Sequence, residues 1–383
     1  MTLERLHTRY RLTIEVLTPL HISSGRTLER DLDYTVYRGK TWVINQEVLL
    51  EATLDENGTF DNRLLNRPVS ELLGAKDYYW PDNPSFRYVM PGEPINRPLS
   101  EQIKDAWGCP YLPGSSVKGA LRTLLLWGIF KANEENKEEG LPAYPDLSDL
   151  DDKDSRKAAQ RIEIKQFAPA AQNTREVPNK DVLRALQVGD STPAGLDVLC
   201  VETARVYPTG TKSGRGVDVD VEAVKRGSVF ELTVTIDEYG FADPEAKDQL
   251  GWGKELRRPL INIPKIGRFH ASQRIGEEKE YYERKGGPAK ALDFYRWLGT
   301  ELGNLNKGEW FMQVGWGAGW NSKTLNDRLS GQKQFEREVV QRYKLDRGKR
   351  RAGEPFPSSR KLVVRQEQPA IPMGWVKCRL ERL

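Results

Sequence analysis

A chain of 383 residues, 38% hydrophobic and 30% charged, has the make-up of a folded protein with room for about two or three domains' worth of core. Net charge is only +4, the longest strongly apolar run (Leu121 to Phe130) is far shorter than the ~20 residues of a bilayer span, and Cys109, Cys200 and Cys378 stand far apart without a CxxC. These totals argue against a membrane span, a disulfide framework and a structural zinc site; buried thiols are expected, and with no apolar leader block before the first strand so is a cytosolic location.

In chain order, "RYRLTIEVLTPLHISSG" opens with Leu12, Ile14 and Val16 alternating with polar residues, which predicts a half-buried strand ended by Pro19. "YTVYRGKTWVIN" predicts a hairpin turning at Arg38-Gly39-Lys40, followed by a short helix capped by Asn45. Residues 56–105, rich in Pro, Asn and Asp, read as an irregular excursion rather than a core element. A helix starting at Ser115/Ser116 places Val117, Ala120, Leu121, Leu124 and Leu125 on one face. Strands are then expected in "VLRALQVGDS", "LDVLCVETARVYP" and "SVFELTVTID", a helix over about Ala289–Leu302, and a strand "WFMQV" leading into "GWGAGWNSKT". This β…αβ…β…αβ order predicts an α+β, ferredoxin-like (RRM-like) sheet-and-helix core with large insertions, with room for a second, degenerate unit of the same kind.

Charge is unevenly spread. Residues 131–154 carry nine acids against three lysines, whereas residues 341–365 carry nine Lys/Arg against two acids. The expected division is an N-terminal RRM-like part over 1–130 with the irregular insertion at about 56–105, an acidic and mobile insertion over 131–180, and the remaining core, glycine loop and basic C-terminal segment over 181–383.

Three stretches carry candidate chemistry. Pro113-Gly114-Ser115-Ser116-Val117-Lys118-Gly119 leads into a helix whose first turn has unpaired N–H groups and the positive end of the macrodipole. Gly114 would admit a ligand to the backbone, Ser115 and Ser116 can cap the helix or donate to an anion, and Lys118 and Arg122 share a face. The stretch lacks the Walker A spacing, and a well-capped helix with two solvated cations is the plainer reading. "GWGAGWNSKT" (Gly315, Gly317, Gly319, Lys323) follows a strand but is G-x-G-x-G, not the dinucleotide GxGxxG; it suits a glycine turn lying against an RNA backbone with Lys323 on a phosphate, or a plain turn. The basic run Arg347, Lys349, Arg350, Arg351, Arg360, Lys361 and Arg365 suits a phosphate chain or a solvated loop. His21 in "PLHISSG" and the pair Asp31 and Asp33 in "LERDLDYTV" are candidates for acid–base chemistry, and structural roles are the commoner use of each. With three histidines and no tight acid cluster, neither a metal nor a cofactor is expected.

Taken in order, "LTPLHISSG", "YLPGSSVKGALRTLLL", "GWGAGWNSKT" and "PSSRKLVV…IPMGWVKCRL" resemble the RAMP superfamily of CRISPR effector subunits. More narrowly they resemble the type III-A (Csm complex) subunit that caps the 3′ end of the guide RNA. The resemblance implies a modified RRM-like fold and a non-catalytic subunit binding guide CRISPR RNA. It implies contact with a neighbouring backbone RAMP subunit and other subunits of the effector complex, indirect contact with target RNA, recruitment of processing nucleases, and no membrane. It carries over to Gly114, Ser115, Ser116, Lys118, Arg122, Gly315, Gly317, Gly319, Lys323, Arg360 and Lys361 as RNA contacts. His21 matches the first motif without an assigned role, and no residue is carried over as catalytic. The alternatives are a RAMP-type endoribonuclease using His21, Asp31 or Asp33, and a different RAMP subunit of a related type III complex.

Overall fold

The computed structural model describes residues 6–54, 58, 67–95, 98–136, 142–151, 155–208, 216–285, 287–346, 354 and 356–383. Its strands in chain order are β1 (His7–Val16), β2 (Ser23–Leu28), β3 (Tyr34–Tyr37), β4 (Lys40–Ile44), β5 (Phe86–Pro91), β6 (Leu99–Gln102), β7 (Leu186–Val188), β8 (Leu199–Pro208), β9 (Val217–Val224), β10 (Val229–Asp237), β11 (Glu309–Gln313), β12 (Ser359–Arg365), β13 (Gln368–Pro372) and β14 (Trp375–Arg382). Three helices organise the packing: α1 (Gly114–Asn136), α2 (Ile263–Lys285) and α3 (Ala289–Gly303).

The principal sheet runs β11-β14-β1-β10-β7, with every pairing antiparallel. Its four contiguous strands β14-β1-β10-β7 form two interlocked split βαβ units. β1, α1 and β7 make one, with β10 between the strands; β10, the α2–α3 region and β14 make the other, with β1 between. That is the expected ferredoxin-like core. The alternation read in β1 and β10 is what lets both strands face a core. Leu12 pairs with Leu232 and Ile14 with Phe230, all four buried, while Thr13 and Glu231 face away. Val117, Leu121, Leu124 and Leu125 of α1 are buried in the same cluster, each burial worth about 1.5–3 kcal/mol for the larger side chains. A second sheet, β13-β12-β8-β9-β6-β2, is assembled from antiparallel pairs β12–β13, β8–β9 and β2–β6. A third, β3-β4-β5, contains the expected hairpin, its turn residues Arg38 and Gly39 both at positive φ as a tight two-residue turn needs.

The structure departs from the sequence reading in four places. Residues 56–105 are not merely irregular, since β5 and β6 lie there with Phe86, Tyr88, Met90 and Leu99 buried. The short helix after Asn45 forms, but the Asn45 amide donates to Pro84 O at 3.2 Å instead of capping it. The described part of the acidic 131–180 region is packed rather than detached. Leu147, Leu150, Ile162 and Phe167 join the main core, and the Glu134 carboxylate holds Arg328 at 3.0 Å; acids at 138, 139, 152 and 154 lie outside the described residues. Helix α2 has no apolar stripe in the sequence, because its buried side mixes Ala271, Ile275 and Tyr282 with His270, Arg274 and Glu278.

Candidate nucleic-acid interface

At the start of α1, geometry is fixed by the end of β7. The Gly114 N–H donates to Asp190 Oδ1 at 2.7 Å, and the Leu112 N–H donates to Ser191 Oγ at 2.9 Å. A Cβ on Gly114 would come within 2.2 Å of Val188 O, so this glycine is required by protein backbone rather than left open for a ligand. The Asp190 carboxylate occupies the first N–H of the helix, and the cap expected from Ser115 or Ser116 is not used. Both hydroxyls are left without a hydrogen bond to a described residue, Ser115 exposed and Ser116 half-buried.

The glycine loop is more constrained than a flexible turn. Gly315 sits at φ +80° with His21 O 2.4 Å from where a Cβ would be, and Gly317 is pressed in the same way onto Met373. The Trp316 N–H donates to His21 O at 2.8 Å. Only Gly319, at φ +66°, has open space beside it, and there the chain turns into the short helix Gly319–Lys323. This brings the loop against α1. Ser115, Ser116, Gly119, Gly315, Ser322 and Lys323 share one groove of about 320 Å³. Two motifs about two hundred positions apart thus line a single surface. Thr123 and Gln313 also line it, and Ser322 donates to Gln313 Oε1 at 2.5 Å; none of the three was singled out as a contact, although Thr123 and Ser322 stand inside quoted motifs.

The cations divide into engaged and available. Lys323 has no hydrogen bond or ion pair to a described residue, and burial holds its pKa below the ordinary lysine value. Lys361 is pushed down to about 8 by burial and then by the charge of Lys323; its ammonium donates to Trp316 O at 2.7 Å and lies 3.9 Å from the centre of that indole. Lys118 is half-buried, its pKa lowered by burial with Asp181 partly opposing. Arg122 does not present a free charge beside it. Its guanidinium binds Glu163 at 2.7 Å and Asp181 at 3.0 Å and covers the Phe167 ring, which outweighs the burial working against its charge. Arg360 is likewise turned inward, to Glu278 at 2.8 Å and onto Tyr281 at 3.8 Å. Arg365 is paired with Glu202, its Nη2 at 2.6 Å. Arg347, Lys349, Arg350 and Arg351 lie outside the described residues.

The candidate acid–base residues are set in structural roles. His21 is buried and donates Nδ1–H to Glu222 O at 2.7 Å, and burial lowers its pKa to about 4 despite that bond, so the ring is neutral at pH 7. Asp31 and Asp33 do not sit on one side of a strand. They lie in the turn before β3, with Asp31 at φ +68° and Asp33 accepting from Glu29 N–H at 2.8 Å and the Gln46 amide at 2.9 Å. Among the described residues no group of three or more His, Cys, Asp or Glu could hold a metal ion, and no helix is long and apolar enough to cross a membrane.

Comparison with known proteins adds the lineage. The model of the RAMP superfamily matches residues 13–283. A Streptococcus thermophilus protein described as CRISPR system Cms protein Csm5 is 29% identical over 251 residues, 60% of this chain and 65% of that protein's length. A protein of the same description from Methanocaldococcus jannaschii is 22% identical over 96% of this chain and 88% of its own. Among solved structures, a chain of a Csm-crRNA-target RNA ternary complex of a type III-A CRISPR-Cas system superposes with a TM-score of 0.63 at 22% identity, covering 97% of this chain and 100% of that one. The crystal structure of T. onnurineus Csm5 gives 0.57 at 20% identity, covering 95% and 99%.

Proposed function

The chain belongs to the RAMP superfamily, and from that premise we propose that it is a non-catalytic RNA-binding subunit of a type III-A CRISPR effector ribonucleoprotein, seated at the 3′ end of the guide RNA. The observation that carries this reading is the groove shared by the helix start and the glycine loop, with Lys323 at its wall. Two serine hydroxyls and the Lys323 ammonium, none with a hydrogen-bond partner among the described residues, are the donors a sugar-phosphate chain takes up. None of them reads a base edge, which suits a subunit holding guides of any sequence. Lys361 adds a second, partly desolvated charge nearby, which a phosphate would stabilise.

Supporting the assembly part of the reading are the relatives described as Csm5 and the fold shared with a chain of a Csm-crRNA-target RNA complex. In such a particle the partners would be guide RNA, an adjoining backbone subunit and, through them, target RNA; processing nucleases would be recruited to the exposed guide end. The neutral, buried His21 and the turn-forming Asp31 and Asp33 support a binding role over a cleaving one.

The test is protein–RNA crosslinking in the purified, guide-loaded complex with both peptide and nucleotide mapped. Crosslinks from residues 115–123 or 315–323 to the 3′ portion of the guide are expected. Crosslinks confined to the 5′ handle would reassign the subunit to another seat, and cleavage of guide or target RNA by the isolated protein, lost on His21→Ala, would replace the reading with a nuclease.

A further inference from the structure

The most exposed large apolar side chain among the described residues is Trp107, at 88%. It stands at the tip of a tight turn between β6 and the start of α1, and that turn is heavily pinned. The Asp105 Oδ1 accepts from the Trp107 N–H at 2.9 Å and from the Cys109 N–H at 2.8 Å. The Gly108 N–H donates to Asp105 O at 3.1 Å, and the Asp105 N–H donates across the turn to Cys109 O at 2.9 Å. Gly108 closes it at φ +79°, the left-handed conformation such a turn asks of its last residue.

The stem below the tip is anchored on both sides. Lys104 and Pro110 bridge across it, and the Lys104 ammonium meets the buried Glu222 carboxylate at 2.5 Å while lying over the Tyr88 ring. On the outgoing side the Ala194 N–H donates to Pro110 O at 2.8 Å and the Ser191 N–H to Leu112 O at 3.0 Å, just ahead of the Gly114–Asp190 contact that sets the helix start. An indole is thus held out in water by a turn locked at both ends.

We propose that Trp107 stacks on an unpaired base of bound RNA. Its neighbours in the turn, Ala106 and Gly108, are small, and no other large apolar side chain in the described stretch 98–136 is exposed. A tryptophan that anchors a protein interface sits within a ring of further contacts. A base needs only one flat face, and stacking tolerates any base. The Asp105 carboxylate at the foot of the tip disfavours phosphate, so the ring meets a base and not the backbone. Trp107 and Ser115 are eight positions apart, at most about 29 Å of chain, so a strand lying in the groove can lay a base on the ring. The inference rests on the RNA-binding reading of that groove and adds a contact that uses neither phosphate nor base edge.

The experiment titrates the full chain, wild type and Trp107→Ala, with single-stranded oligouridylate and with a strand of the same length built from abasic ribose units. Removing a stacking aromatic costs at least about fivefold in affinity, and Trp107→Ala should lose that much on oligouridylate with its salt slope unchanged. On the abasic strand the two proteins should bind alike, and Trp107→Phe should keep most of the wild-type affinity. The urea midpoint should not move in either variant, since the ring is outside the core. An equal loss on both strands would overturn the base as the partner. Undiminished affinity of Trp107→Ala for oligouridylate would overturn stacking while leaving the groove standing; if that variant also dropped out of the purified effector complex, the indole is a protein contact. Failure of the wild type to bind either strand would overturn the groove reading and this one with it.

Discussion

The backbone N–H of Trp316 donates to the carbonyl oxygen of His21 at 2.8 Å, so the glycine loop hangs on the segment that follows the first strand. The His21 ring is itself tethered to Glu222 O, which makes one neutral imidazole a link between the second sheet and the groove lined by the glycine loop.

That link sets a pH dependence. The folded protein holds the His21 pKa at about 4, while the unfolded chain takes up the proton near 6.5. Between those values the unfolded state binds more protons, so stability is lost as pH falls from 6.5 through 4. The full difference is about 3 kcal/mol. Urea unfolding from pH 7 to pH 4 should show that much less acid-induced loss in His21→Gln than in the wild type. His270, pushed down to about 3 by burial, slopes the same way in both proteins and cancels. Parallel pH profiles would mean that the imidazole is not held neutral.

Lys323 and Arg122 should separate cleanly. Removing a lysine that meets phosphate lowers the salt slope of single-strand binding by about 0.7. Lys323→Ala should do this with little change in unfolding midpoint. Arg122→Ala should leave the slope alone and instead destabilise the protein, because it strips Glu163 and Asp181 of their common partner. A slope change in Arg122→Ala alone would place the RNA elsewhere on α1.

Lys361 predicts an alkaline limit on binding. In the free protein its pKa is lowered to about 8, by burial first and Lys323 second. A bound phosphate raises it, so the complex holds a proton that the free protein releases above pH 8, and affinity falls as pH rises from there. The loss should reach about tenfold by pH 9, one pH unit being worth about 1.4 kcal/mol. Lys361→Met should flatten the profile. A wild-type affinity constant from pH 7 to pH 9 would show that no phosphate approaches this ammonium.

Arg360 carries the opposite expectation to the one its sequence neighbourhood suggests. Breaking a buried pair by removing one partner costs about 3–5 kcal/mol, and Glu278 is 2% exposed. Arg360→Met should therefore lower the urea midpoint markedly while the salt slope measured on folded protein stays put. A lowered slope with an unchanged midpoint would return Arg360 to the RNA.

These contrasts mark the boundary of what was legible. Strict alternation in β1 and β10 announced the central strands, because each has one face in a core and one out of it. The cations were not legible individually. Arg122 and Arg360 look like Lys323 in sequence, yet their partners lie 41, 59 and 82 positions away, a distance no local pattern encodes. Helix α2 failed for a related reason, since a helix that buries His270, Arg274 and Glu278 has no apolar stripe to count. Gly114 and Gly315 were recognised as special, but the backbone they admit is the protein's own.

The place of β1 between β10 and β14 has a consequence for synthesis. One edge of β1 finds its neighbour once residue 237 has emerged, but the other pairs with residues 376–382. At typical elongation rates the interval between the two is on the order of ten seconds. Throughout it a long nascent chain displays an open sheet edge and the unfilled seat of Trp375. The ribosome-bound intermediate is thus the state in which this protein is most exposed to mispairing, and the one a chaperone has most reason to meet.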